Sequence, residues 1–154
     1  MIKILFVCHG NICRSPMAEA IFNHMAKEKG LEEEFSAASA AVSREEIGNP
    51  IYPPAQRKLR REGIPFAKRG AVQIAPGDYE LYDFIIGMEE YNLRGMLRIL
   101  GGDPKGKVSR LLDFTSHPRD VDDPWYTGDF DRAYEDIREG CQALLRFLIS
   151  GGHR

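Results

Sequence analysis

Residues Val7 to Pro16 read Val-Cys-His-Gly-Asn-Ile-Cys-Arg-Ser-Pro, placing a thiol, a guanidinium and a hydroxyl at short spacing. Five residues separate Cys8 from Arg14, and Ser15 follows directly. A loop of that length between a strand and a helix can curl until successive backbone N–H groups converge on one point. The result is an anion nest, reinforced by the partial positive charge of the helix N-terminus. Gly10 and Asn11 are the residue types that tolerate the left-handed backbone such a curl requires. A phosphate held by Cys8, His9, Gly10, Asn11, Ile12, Cys13, Arg14 and Ser15 would lie over the Cys8 sulfur. Arg14 can grip two of its oxygens in a bidentate fork and stabilise the charge of a transition state. The same positive field favours the Cys8 thiolate, a nucleophile, and Ser15 can donate a hydrogen bond to it. A lone cysteine at a strand end is more often a small buried hydrophobe. Here the whole constellation, closed by a helix-opening Pro16, carries the functional reading.

Cleavage of a phosphate ester also needs a proton for the leaving oxygen. The stretch Asp122-Asp123-Pro124-Trp125-Tyr126 offers two carboxylates on a loop, followed by two rings. Trp125 and Tyr126 can wall an apolar slot, and stacking on a phenyl group suits a phosphotyrosine better than a short phosphoserine. Four scattered histidines, none at ligand spacing, give no metal site, and no cofactor is implied.

The elements that must position these groups alternate between strand and helix signals. Ile2 to Val7 is a short apolar run with β-branched residues, as in a strand buried on both faces. Pro16 to about Lys29 is a helical pattern stopped by Gly30, with Ala18, Ile21, Phe22 and Met25 facing the sheet. Further strands are expected at Phe35 to Ser39, Tyr82 to Gly87 and Lys107 to Leu112. Further helices are expected from Pro53 or Pro54 to Glu62, from Glu89 to Leu100, and from Phe130 to Ser150. The last has a buried stripe of Ala133, Ile137, Cys141, Leu144, Leu145 and Leu148. Alternation of this kind predicts an α/β fold with an open parallel sheet of about four strands flanked by helices. Ligand sites in such sheets lie at the carboxyl ends of strands, where the Cys8 loop falls.

The 154 residues fit one domain, 1–154, able to bury a core without metals or disulfides. A formal net charge of −2 gives no basic field for nucleic acid or anionic lipid. No run of apolar residues reaches the length of a membrane span, and the start lacks the pattern of a secretory signal. Three cysteines, an odd number, read as reduced thiols in a cytoplasmic protein.

The segment from Cys8 to Pro16 matches C-x-G-N-x-C-R-S-P at every fixed position. With it, the chain resembles the low-molecular-weight protein tyrosine phosphatases. The similarity continues through Ser36-Ala37-Ala38-Ser39, Ile47-Gly48-Asn49-Pro50, Gly63-Ile64-Pro65 and Asp123-Pro124-Trp125-Tyr126, nearly the whole chain. The resemblance implies hydrolysis of phosphotyrosine in protein substrates and of small aryl phosphates through a phosphocysteine on Cys8, releasing inorganic phosphate. It implies that Asp123, immediately before the Pro, is the general acid, with Asp122 a neighbour. It implies that Asn11, Ser15 and Ser36 hydrogen-bond one another to fix the curl. It also implies that Cys13 can pair reversibly with Cys8 and shield it from irreversible oxidation. His9 falls at the rim of the cradle.

Two departures stand out. The pocket wall near Arg44-Glu45-Glu46 lacks the aromatic residue that the family carries there. The region after Gly-Ile-Pro holds Lys68 and Arg69 where many relatives have a His that supports the loop. Among other readings, relatives acting on phosphoarginine carry a Thr at the place of Ile12, so Ile12 favours phosphotyrosine over a protein arginine phosphatase. Arsenate reductase needs further cysteines well after the cradle, and none lies between Cys13 and Cys141. A phosphopeptide-binding module without turnover would lack the nucleophile or the acid, yet both are present. A monomer or a weak self-associating species is expected.

Overall fold

In a computed structural model, which describes residues 1–152, the β-branched and aromatic runs form four strands: β1 (Ile2–Cys8), β2 (Phe35–Ala41), β3 (Phe84–Gly87) and β4 (Val108–Arg110). All pair in parallel in the order β2-β1-β3-β4. The register aligns their carboxyl ends, Cys8 with Ala41, Val7 with Gly87, and Gly87 with Arg110. The chain leaves β1 for β2 on one side and returns to β3 on the other. The topological switch point is therefore the crevice beyond β1 and β3.

Among the described residues, six α-helices connect and cover the strands: α1 (Arg14–Glu28), α2 (Pro53–Arg61), α3 (Asp78–Leu81), α4 (Glu90–Leu100), α5 (Pro124–Thr127) and α6 (Phe130–Ile149). Alternation along β1 divides the core in two. Ile4, Phe6 and Cys8 join Met17, Ile21 and Phe22 of α1, Leu59 of α2 and the whole predicted stripe of α6 except the small Ala133, which is itself buried. Leu5 and Val7 face the opposite layer, with Tyr79 of α3 and Met96 of α4. Helix α4 sits close to the edge of this layer, because a Cβ on Gly95 would lie 2.4 Å from Val42 Cγ1. A bulkier residue there would force the helix outward.

The differences from the sequence expectation are local. The fourth strand is short, and Leu111–Phe114 turns into a 3-10 helix that buries Leu111 and Leu112 beneath α6. The two single-turn helices, α3 and α5, carry too few residues to show a helical period. Helix α1 begins at Arg14, two residues before Pro16, so the guanidinium stands on the first helical residue. No helix among the described residues is long and apolar enough to cross a membrane.

Candidate active site

Cys8 is the last residue of β1, and the cradle runs from it to the start of α1. The left-handed turn falls on Asn11, with φ of 59°, and not on Gly10, which keeps an ordinary backbone angle. Asn11 is the one positive-φ residue other than glycine among the described residues. Asparagine accepts this conformation because its short amide can bond locally. Backbone bonds anchor the rim, with Val42 N–H on Cys8 O at 3.0 Å, Ser43 N–H on His9 O at 3.0 Å and Tyr52 N–H on Ile12 O at 2.8 Å.

Three groups converge on the Cys8 sulfur: the Ser15 hydroxyl at 3.0 Å, Asn11 N–H at 3.3 Å and Ser15 N–H at 3.4 Å. Such an arrangement suits an anionic sulfur, which can only accept. Asn11 Nδ2 donates to Ser15 Oγ at 2.8 Å and to Ser39 Oγ at 3.0 Å, and Ser39 Oγ in turn donates to Glu19 Oε1 at 2.6 Å.

The serine that supports the curl is thus Ser39, correcting the expectation of Ser36. Ser36 pairs with Lys3 near the opposite end of β1, and its hydroxyl meets the Met1 sulfur at 3.3 Å. Three residues further along a strand is about 10 Å, which carries Ser39 to the carboxyl edge where the cradle lies. Of Lys68 and Arg69, Arg69 reaches the loop. Its Nη2 donates to Asn11 O at 2.7 Å and makes a very short bond to Asn11 Oδ1, while Lys68 is exposed.

Arg14 is 1% exposed. Its Nη1 donates to Val121 O at 2.8 Å, and its Nη2 to Glu89 Oε1 at 3.0 Å and Asp123 Oδ2 at 3.2 Å. Burial works against the cation, but Cys8, Asp123 and Glu89 outweigh it and hold the guanidinium above the ordinary arginine range. Glu89 is the residue that motif spacing missed. A positional signal was there, since it lies two residues past β3, at the same sheet edge as Cys8.

The loop bearing the acid is hooked to this edge by Val121 N–H on Met88 O at 2.9 Å. Asp123 then caps α5, its Oδ1 accepting from Trp125 N–H at 3.0 Å while Oδ2 faces Arg14. Pro124 at the first helical position fits this start. Asp122 is exposed and is not among the residues lining the pocket.

A pocket of about 110 Å³ opens above the sulfur. Trp125 and Tyr126 form one wall, and the Trp125 ring rests 4.7 Å from that of Tyr52. The other side is Glu45, Glu46 and His9, with His9 Nε2 3.3 Å from Glu45 Oε2. The His9 side chain is 37% exposed there. Ile12 and Cys13 complete the lining. Burial, with Cys8 and Asp123 nearby, pushes the Cys13 thiol far above the ordinary cysteine range despite Arg14. Cys141 lies wholly buried on α6, where burial raises its thiol likewise.

A family model described as "Low molecular weight phosphotyrosine protein phosphatase" matches residues 3–151. The low molecular weight protein-tyrosine-phosphatase YfkJ of Bacillus subtilis is 45% identical over 147 residues, covering 94% of each chain. The human low molecular weight phosphotyrosine protein phosphatase is 37% identical over 154 residues, covering 98% of this chain and 96% of the relative. The crystal structure of YfkJ superposes with a TM-score of 0.94, covering 98% of this chain and 96% of that one, at 42% identity in the structural alignment. A drosophila arginine phosphatase, 29% identical, superposes with a TM-score of 0.85, covering 96% and 98%. Fold, cradle and sequence agree: the chain belongs to the low molecular weight phosphotyrosine protein phosphatase family.

Proposed function

We propose that the chain hydrolyses phosphotyrosine in protein substrates, and small aryl phosphates, through a phosphocysteine on Cys8. The observation that carries this reading is the convergence of three donors on the Cys8 sulfur, 3.0 to 3.4 Å away, beneath a pocket that also holds Arg14 and Asp123. In the first step the Cys8 thiolate attacks phosphorus, and the bond to the phenolic oxygen breaks. The leaving oxygen takes the bond's electron pair and a proton from Asp123. Arg14 and the cradle amides hold the three remaining oxygens as charge spreads over them. In the second step water attacks phosphorus and gives a proton to Asp123. The P–S bond breaks, the thiolate returns, and inorganic phosphate leaves.

Trp125 and Tyr126 present an aromatic wall that fits the phenyl ring of the substrate. Ile12 adds an apolar contact and no hydroxyl, which supports phosphotyrosine over phosphoarginine, although an arginine phosphatase shares the fold. Cys13 lines the same pocket as Cys8, which supports a protecting disulfide between them when Cys8 is oxidised.

The test compares turnover of phosphotyrosine, phosphoserine and phosphoarginine in reducing buffer with EDTA. Release of phosphate from phosphotyrosine alone is expected, and a preference for phosphoarginine would overturn the substrate assignment. Cys8→Ser should abolish turnover while retaining affinity for phosphate; substantial turnover in that variant would rule out the covalent route.

A further inference from the structure

The side chain of Trp125 lines the pocket, and its backbone N–H holds Asp123 Oδ1 at 3.0 Å. A shift of Trp125 therefore carries the carboxylate with it. Both residues belong to the start of α5, a single turn, and so short a helix has little stability of its own. Something outside the turn must fix it. Resting on the assignment of Asp123 as the acid, we infer that Tyr52 is a positioning residue whose ring, mounted on a rigid backbone beside the cradle, holds Trp125 and through it the acid.

The backbone of Tyr52 has little freedom. Pro53 and Pro54 follow it, and a residue before proline is kept out of the helical region. Its angles, φ −55° and ψ 132°, are of the polyproline-II type. Its N–H donates to Ile12 O of the cradle at 2.8 Å. Its carbonyl accepts from Ala55 N–H at 2.9 Å and from Gln56 N–H at 3.0 Å, in the first turn of α2. The half-buried ring packs against the cluster of Ile12, Cys13 and Ala71.

From this mount the ring meets the stretch that follows the acid at two places. The Trp125 ring lies 4.7 Å away at 52°, and the Phe130 ring lies 6.1 Å away at 30°. Both separations fall in the range where aromatic pairs attract. Trp125 is two residues past Asp123, and Phe130 opens α6, so one ring bridges the turn between them. The bonds made by Val121, to Met88 N–H's own carbonyl and from Arg14, fix the loop before Asp123, and Tyr52 fixes it after. Tyr52 does not line the pocket, so it acts on the reaction through Trp125 and Asp123.

The test uses the full chain with Tyr52→Leu, Tyr52→Met and Tyr52→Phe. The ratio of kcat/KM on phenyl phosphate to that on p-nitrophenyl phosphate reads the acid, because only the poorer leaving group needs the proton. Tyr52→Leu should lower kcat/KM on phenyl phosphate by about tenfold and on p-nitrophenyl phosphate by less than about twofold. Inhibition by inorganic phosphate should be unchanged, since the cradle amides and Arg14 are untouched. Trp125 is the only tryptophan in the chain, so fluorescence anisotropy decay reads its mobility directly. Tyr52→Leu should enlarge the fast component, at nanoseconds or below. Tyr52→Phe restores the ring and should recover both the ratio and the decay. If Tyr52→Leu fails to fold, Tyr52→Met, which fills the gap without a planar face, carries the same readouts. Equal losses on the two phosphates while Asp123→Asn discriminates between them would overturn the inference. So would weakened phosphate inhibition or an unchanged anisotropy decay, whatever happens to the melting temperature. Equal losses in Asp123→Asn as well would instead sink the acid assignment, and the decay, which needs no turnover, would still report whether Tyr52 holds Trp125.

Discussion

Arg14 and Glu89 meet at 3.0 Å, where the guanidinium is almost fully buried and Glu89 is the N-cap residue of α4. The contact joins the first helical residue of α1 to the residue before α4, two elements that follow neighbouring strands. It aims the fork that would hold phosphate. A buried guanidinium deprived of its partner is also an uncompensated charge.

Glu89→Ala should therefore lower kcat/KM on phosphotyrosine by at least about tenfold through misplacement of Arg14. Glu89→Gln keeps an oxygen facing Arg14 and should stay within about threefold of wild type. Steady-state kinetics of both variants check this. Equal losses would show that the charge, and not the orientation, matters.

Asp123 holds Trp125 N–H with one oxygen and Arg14 with the other, so truncation removes both a cap and an acid. Asp123→Asn preserves the Oδ1 acceptor but removes both the proton and the anionic contact to Arg14, so the comparison of leaving groups isolates the proton. It should slow phenyl phosphate by about 10² to 10⁴ and p-nitrophenyl phosphate far less, since the latter leaving group needs little protonation. Equal losses on the two substrates would remove Asp123 from the role of acid.

Ser39→Ala leaves one hydrogen of the Asn11 amide without a partner and strips Glu19 of its short bond, in a buried setting. A cost of about 1 to 3 kcal/mol in stability and a measurable fall in kcat/KM are expected. Ser36→Ala, at the far end of β2, should change neither, and parallel melting and kinetic measurements separate the two serines.

Lys58 links α2 to α6, with Nζ 2.9 Å from Asp131 and 3.0 Å from Glu62. The hydrogen bond to Lys58 holds the Asp131 carboxyl below its ordinary range, and the bond to Asp131 holds Lys58 above its own. A depressed carboxyl contributes stability above its unfolded value of about 3.9, lost as pH falls through the lower folded value. The raised lysine contributes below about 10.4, lost as pH rises through its higher folded value. Asp131→Asn should lower the melting temperature between pH 5 and 8, with the difference closing toward about pH 2. A constant difference across the acid range would refute the ion pair as its source.

The alternating elements were legible because each long segment carries its own period, and the whole apolar stripe of α6 reads directly from its sequence. The cradle was legible because its groups are contiguous between Cys8 and Ser15. What spacing could not supply were the contacts made across the sheet. Glu89 and Val121 reach Arg14 from positions 75 and 107 residues away in the chain. Ser36 and Ser39 lie in a near-repeat of small residues, and only the strand register decides which of them reaches the cradle. Gly10 and Asn11 both tolerate a left-handed turn, and the local sequence does not say which one takes it.

The contact between Asp123 and Arg14 puts a carboxylate oxygen on the same guanidinium that a phosphate oxygen would use. Entry of substrate is then an exchange of ligands on one cation. The carboxylate that gives way stays tethered through its other oxygen to Trp125 N–H, 3.0 Å away, so it is kept at the mouth of the cradle while the guanidinium changes partner. The acid is thus swung aside on its own helix cap and not expelled from the site.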